Sequence, residues 1–301
     1  MGCLKGCLDY LGLDVSDAWL FGATGHAFVI NIHEVVCPSG PTAWNTEMLL
    51  KLGRNIGYVV EGVVGFKSNA DFAEKQKLAW EKTKRAIDEG VPCYGWELDI
   101  PEYYVVYGYD DEGYYISGPK CDPGKGLKPW RELGDTGIGV LEMFTVKRGQ
   151  PADDATTVKQ AIEFALEHSK SPEKWIFPKY KSGLAGYDAW IQALENGTAD
   201  GFGVAYNAAV WSECRHFAVQ FLREAKQHLP DRLNLLFDEA ARQCESVAEN
   251  LKKVCELFPF ALKGDGVKDR DRCETALKDL RAAKSAEASG LKALDRMLTD
   301  L

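Results

Sequence analysis

The residues best suited to chemistry are the cysteines and the histidines. Nine cysteines fall at 3, 7, 37, 93, 121, 214, 244, 255 and 273, an odd number with no C-x-x-C pair. Structural zinc and thioredoxin-type exchange therefore both lack their usual spacing. Cys214, Cys244 and Cys255 sit in helical apolar patterns and read as reduced core residues, whereas Cys3 and Cys7 stand apart at the very start of the sequence. Gly25-His26-Ala27-Phe28-Val29-Ile30-Asn31-Ile32-His33 supplies two imidazoles. On a regular strand over 26–33 they face opposite sides, so they do not share one metal, while Asn31 and His33 share a face and are placed to pair. Cys37-Pro38-Ser39-Gly40-Pro41-Thr42-Ala43-Trp44-Asn45 is a rigid turn. Thr42 is placed there to cap a helix over 42–52, with Trp44 as an aromatic pocket rim. Gly124-Lys125-Gly126 has neither a Walker nor a Rossmann fingerprint around it, so no nucleotide, metal or other cofactor is assigned.

The elements that must position these residues change character near residue 150. The first half reads as short helices mixed with strands. A helix over 3–12 ends at Gly12, strands are expected over 26–33 and 58–64, and a charged helix begins near 69–71 and runs to 90. Strands over 92–98, 103–109 and 113–117 follow, with Asp110-Asp111-Glu112-Gly113 as a hairpin turn, and a strand over 138–146 closes the sheet. The second half shows no strand pattern. Leu233, Phe237, Ala240, Cys244, Val247, Leu251 and Val254 recur at alternating spacings of four and three. That heptad seam wants a partner helix, either within the chain or in a homodimer through the helical domain. A final charged helix over 269–301 is weakly patterned and reads as peripheral. Trp211, Arg215, Ala218 and Leu222 fall on one helix face, so Arg215 needs an anionic partner, most simply an internal Asp or Glu. The expectation is an α+β domain over 1–150 followed by an all-α helical domain over 151–301.

Composition narrows the classes of function. The 301 residues are 46 % hydrophobic and 27 % charged, with a net charge of −9. Such a chain buries a sizeable core, and its acidity disfavours nucleic acid and anionic membranes as partners. No stretch approaches the roughly 18 apolar residues of a membrane span, and the start has no signal-peptide run, so a cytoplasmic protein is expected.

Several segments carry a family resemblance. The run Pro101-Glu102-Tyr103-Tyr104-Val105-Val106-Tyr107-Gly108-Tyr109-Asp110-Asp111, followed by a strand ending Ser117-Gly118-Pro119, resembles the second half of the papain-like, C39-type cysteine peptidase domain. Cys3 or Cys7 ahead of Tyr10-Leu11-Gly12 resembles that domain's opening helix. Ser16-Asp17-Ala18-Trp19-Leu20-Phe21-Gly22, and the later Arg215-His216-Phe217 to Phe221-Leu222-Arg223-Glu224-Ala225, are similar to the butirosin-biosynthesis H group. The resemblance spans roughly residues 1–260 and implies a papain-like fold. It also implies a thiolate that attacks an acyl carbonyl, in acyl transfer or in hydrolysis of an amide or thioester on a small metabolite or carrier-bound acyl group. Under that implication Cys3 is the nucleophile at a helix N-terminus, His26 a substitute base, and Glu102 a cleft residue standing where the family has its histidine. Cys7, Asn31, His33, Trp44 and Tyr103 would line the substrate site. Gly118 replaces the expected aspartate, so the triad is degenerate. The rival expectation is a catalytically inactive relative that binds a ligand or protein in the old cleft.

Overall fold

The computed structural model describes residues 1–121 and 127–301; the Gly124-Lys125-Gly126 segment lies outside the described residues. In chain order the elements are α1 (Gly2–Tyr10), α2 (Asp17–Ala23), β1 (Asn31–His33), α3 (Glu47–Ile56), β2 (Tyr58–Phe66), α4 (Phe72–Asp88), β3 (Cys93–Trp96), β4 (Tyr103–Tyr109) and β5 (Gly113–Ser117). There follow β6 (Leu127–Pro129), β7 (Val140–Arg148), α5 (Asp154–Lys170), β8 (Tyr180–Ser182), α6 (Gly183–Glu195), α7 (Gly201–His228), α8 (Asn234–Leu257) and α9 (Arg270–Asp300). The protein is thus mixed helix and sheet with a helical C-terminal region. Among the described residues no helix is long and apolar enough to cross a membrane.

The chain forms two compact units that do not follow its two halves. One joins Met1–Ser16 to Ile56–Pro151; the other joins Asp17–Asn55 to Ala152–Leu301. Residues 17–55 thus belong with the helices of the second half rather than with the sheet.

The first unit is built on a six-stranded antiparallel sheet in the order β2-β7-β3-β4-β5-β6. Strand alternation sends Tyr104, Val106, Tyr114, Ile116, Leu141 and Met143 into one core with Ala79, Trp80 and Ala86 of α4. Leu78 of that helix is exposed. The β4–β5 hairpin turns where the sequence places it, with Asp110 accepting from the backbone N–H groups of Glu112 and Gly113. α1 packs on β3, β4 and β7 through Leu4, Cys7 and Leu8. It stops in a Schellman motif: Gly12 has φ +65°, its N–H bonds to the carbonyl of Asp9, and that of Leu13 bonds to the carbonyl of Leu8.

The second unit buries the α8 seam completely. Leu233, Phe237, Ala240, Cys244, Val247, Leu251 and Val254 are all buried, and α8 packs on α7 and α9. The partner of the heptad is therefore intramolecular. α9 is not peripheral: Ala276, Leu280, Ala283, Ala286, Gly290, Ala293 and Met297 line a buried stripe. Arg215 finds its anion there, donating to both carboxylate oxygens of Glu287 at 2.9 and 2.6 Å and to the carbonyls of Ala27 and Val29. The expected strand over 26–33 is mostly something else. Gly25 at φ +74° starts a 3₁₀ turn over His26–Phe28, and only Asn31–His33 is strand. That strand pairs antiparallel with β8, an element the sequence pattern does not announce. The helix expected over 42–52 begins at Glu47, where Asn45 rather than Thr42 receives a backbone N–H; Thr42 Oγ1 donates to the carbonyl of Ser39.

Candidate functional site

α1 and the sheet face opposite α4 bring together the most reactive side chains of the first unit. Cys3 lies in the first turn of α1, partly buried, and Cys7 lies one turn later, fully buried. Strand alternation puts Tyr94 and Trp96 of β3, Tyr103 of β4, and Glu142 and Phe144 of β7 on the same side of the sheet. The Tyr103 ring meets those of Trp96 and Tyr94 edge-on, with centroids 5.0 and 5.9 Å apart. Its hydroxyl donates to Glu142 Oε2 at 2.5 Å.

The electrostatics of this group run against an activated thiol. A cysteine at a helix N-terminus ordinarily gains thiolate character from the dipole. Here burial raises the Cys3 pKa; the nearby α-amino group opposes that rise, and the charge of Glu102 adds to it. Burial, with Cys3 and Cys93 as neighbours, pushes Cys7 up to about 12. The carboxyl of Glu142 is also raised by burial, against the pull of the Tyr103 hydrogen bond. Tyr94 and Tyr103 rise well above the ordinary phenol range, both by burial first, then through Tyr58 and Cys7 for Tyr94 and through Glu142 for Tyr103, and both stand within electrostatic reach of Cys3. The arrangement surrounds a sulfur with phenol and carboxyl groups whose charged forms burial disfavours. It can donate hydrogen bonds from the phenols and offer carboxyl oxygens to a hydroxylated group.

The structure brings Cys3, Cys7, Glu102 and Tyr103 into one unit. His26, Asn31, His33 and Trp44 belong to the other. All five histidines of the chain (His26, His33, His168, His216 and His228) lie in that second unit, so the sheet unit has no imidazole of its own. His26 is buried, its Nδ1 has no hydrogen-bond partner among the described residues, and its ring stacks on Trp44 at 6.1 Å. Trp44 is only 3 % exposed; it packs on Phe164 and His168, and its indole N–H donates to the carbonyl of Pro41. It fills a core rather than rimming a pocket. Asn31 does not pair with His33: its amide donates to the carbonyls of Gly40 and Ala43, while His33 Nδ1 accepts from the backbone N–H of Val35.

Glu142 and Tyr94 escape the reading of the sequence. The one available signal is the carboxylate inside Val140-Leu141-Glu142-Met143-Phe144, where alternation places it on a face otherwise lined by aromatics. Among the described residues, no three His, Cys, Asp or Glu side chains converge in a way that could hold a metal ion. No protein-family model and no curated protein matches the chain.

Proposed function

We propose that the protein is a ligand-binding relative of papain-like, butirosin-H-type cysteine enzymes, in which the thiol at Cys3 has ceased to act as a nucleophile. One observation carries this reading: the charged side chain acting on Cys3 is a carboxylate, Glu102. A carboxylate beside a thiol favours the protonated thiol and disfavours the thiolate that a nucleophile needs. The aromatic and carboxyl cluster of Tyr94, Trp96, Tyr103 and Glu142 is then a recognition surface for a small molecule or a side chain of a protein partner. Thiol-dependent acyl transfer is the second reading, favoured by the place of Cys3 in the first turn of α1.

An assay with a simple acyl thioester and an activated amide separates the two. The binding reading predicts hydrolysis no faster in wild type than in Cys3→Ala. Turnover by wild type that disappears in Cys3→Ala would overturn it and establish acyl transfer.

A further inference from the structure

The other face of the sheet unit carries a feature unrelated to Cys3. Where α4 crosses β2 and β7 there is a cleft of ≈ 70 Å³, walled by Glu61 of β2, Lys82, Thr83 and Arg85 of α4, and Thr145 and Lys147 of β7. A site needs about 10–15 Å³ of such space to hold one water, so this one accommodates a polyatomic ion.

Its lining departs from the rest of the molecule. The chain carries a net charge of −9, yet three cations converge here. Lys147 is spent on Glu61, donating to Oε2 at 3.0 Å. Lys82 and Arg85 are close enough to help hold the Glu61 carboxyl below its ordinary range, behind the larger effect of Lys147. Neither Lys82 nor Arg85 has an ion-pair partner of its own among the described residues, and against them the cleft sets one further carboxylate, Glu89. Thr83 gives a second, independent sign. It is 0 % exposed, and its hydroxyl has no hydrogen-bond partner among the described residues. A helical threonine usually satisfies itself on the carbonyl four residues back, and a buried hydroxyl left unpaired costs free energy. A ligand oxygen that accepts from it removes that cost.

We propose that this cleft is a binding site for a tetrahedral oxyanion, a phosphate group above all. Arg85 and Lys82 supply the charge and the Thr83 hydroxyl donates into the site. Arginine suits such a ligand because its planar fork matches two oxygens at once. Lys147 holds Glu61 away from the ion, and Glu89 sets a limit on affinity.

The test is titration of the full chain with inorganic phosphate at constant ionic strength, followed by amide chemical shifts, with chloride as the reference anion. The expected result is saturable binding, with the largest shifts at Glu61, Thr83 and Arg85. Thr83→Val, which keeps the side-chain shape, and Lys82→Ala with Arg85→Ala, both exchanged at solvent-facing positions, should each weaken phosphate about tenfold or more. Sulfate binding with the same variant dependence supports a general oxyanion site; tighter binding of phosphoserine assigns it to phosphomonoesters. Shifts that never saturate, or binding that survives the double alanine variant, would mean adventitious ions only and overturn the proposal.

Discussion

Acid should weaken the helical unit well above the pH at which its carboxylates protonate. His26 and His168 flank Trp44, with ring centroids 6.1 and 5.3 Å from the indole. Burial lowers the His26 pKa from 6.5 to about 3, with smaller contributions from His168 and Arg215. Burial, and then Arg215, lowers His168 from 6.5 to about 4. Both folded values lie below the unfolded value, so the unfolded chain binds more protons between them. The stability these groups contribute is complete above about pH 6.5 and is lost as pH falls toward 4 and then 3. Between about pH 8 and about pH 5 each histidine costs about 2 kcal/mol, and the pair about 4 kcal/mol. That is a large part of the 5–15 kcal/mol by which domains are usually stable. Glu142, whose pKa is raised, works in the opposite direction, so the readout is a difference between variants. Urea unfolding across this range, followed by tryptophan emission, should show a slope that His26→Gln reduces by about half, even where the variant is less stable at every pH. A flat profile between about pH 7 and about pH 5, or an unchanged slope in His26→Gln, would refute the reasoning.

Three further perturbations have signs fixed by the structure. Glu287→Gln leaves Arg215, only 1 % exposed, without its counter-charge; unfolding experiments should show a loss of about 3–5 kcal/mol, partly recovered when Arg215→Met is added. Gly22→Ala would put a methyl 1.9 Å from Phe221 Cγ, where α2 lies against α7. We expect a cost of about 1–3 kcal/mol in thermal unfolding, relieved by Phe221→Leu. Tyr103→Phe removes the hydrogen bond that holds the Glu142 carboxyl down. Its pKa should rise further in side-chain carbon NMR, and a fall would contradict the site's electrostatics.

What was legible in the sequence followed periodicity. The α8 seam, the β4–β5 hairpin and the need of Arg215 for an acid can each be read from spacing, and each is found. What was not legible depends on small residues or on contacts distant in sequence. α9 sets alanines, a glycine and Glu287 among its buried leucines, so its hydropathy stripe is faint even though its packing is close. The β1–β8 pair has three residues on each side and joins segments about 150 positions apart, too short to leave a pattern. The segment over 26–33 looks like a strand, but the left-handed conformation of Gly25 opens a 3₁₀ turn over His26–Phe28 instead. The same limit applies to the candidate site. Cys3 and Tyr103 are conspicuous by type, but Glu142 becomes significant only when β7 is laid beside β3 and the Tyr103 side chain reaches it. Units that draw on both halves of the chain arise the same way, because residues 17–55 carry apolar helix and turn segments whose partners come after residue 152.

The most direct test of a silent thiol at Cys3 is its alkylation rate as a function of pH. Native protein would be treated with iodoacetamide from about pH 5 to about pH 9, and the labelled cysteines located by mass spectrometry. A silent Cys3 shows no fast phase below about pH 8.5, the ordinary thiol value, and Cys7 stays unlabelled throughout. A single fast-reacting site at Cys3 with an apparent pKa well below that value would contradict it, and would make the sulfur a nucleophile after all.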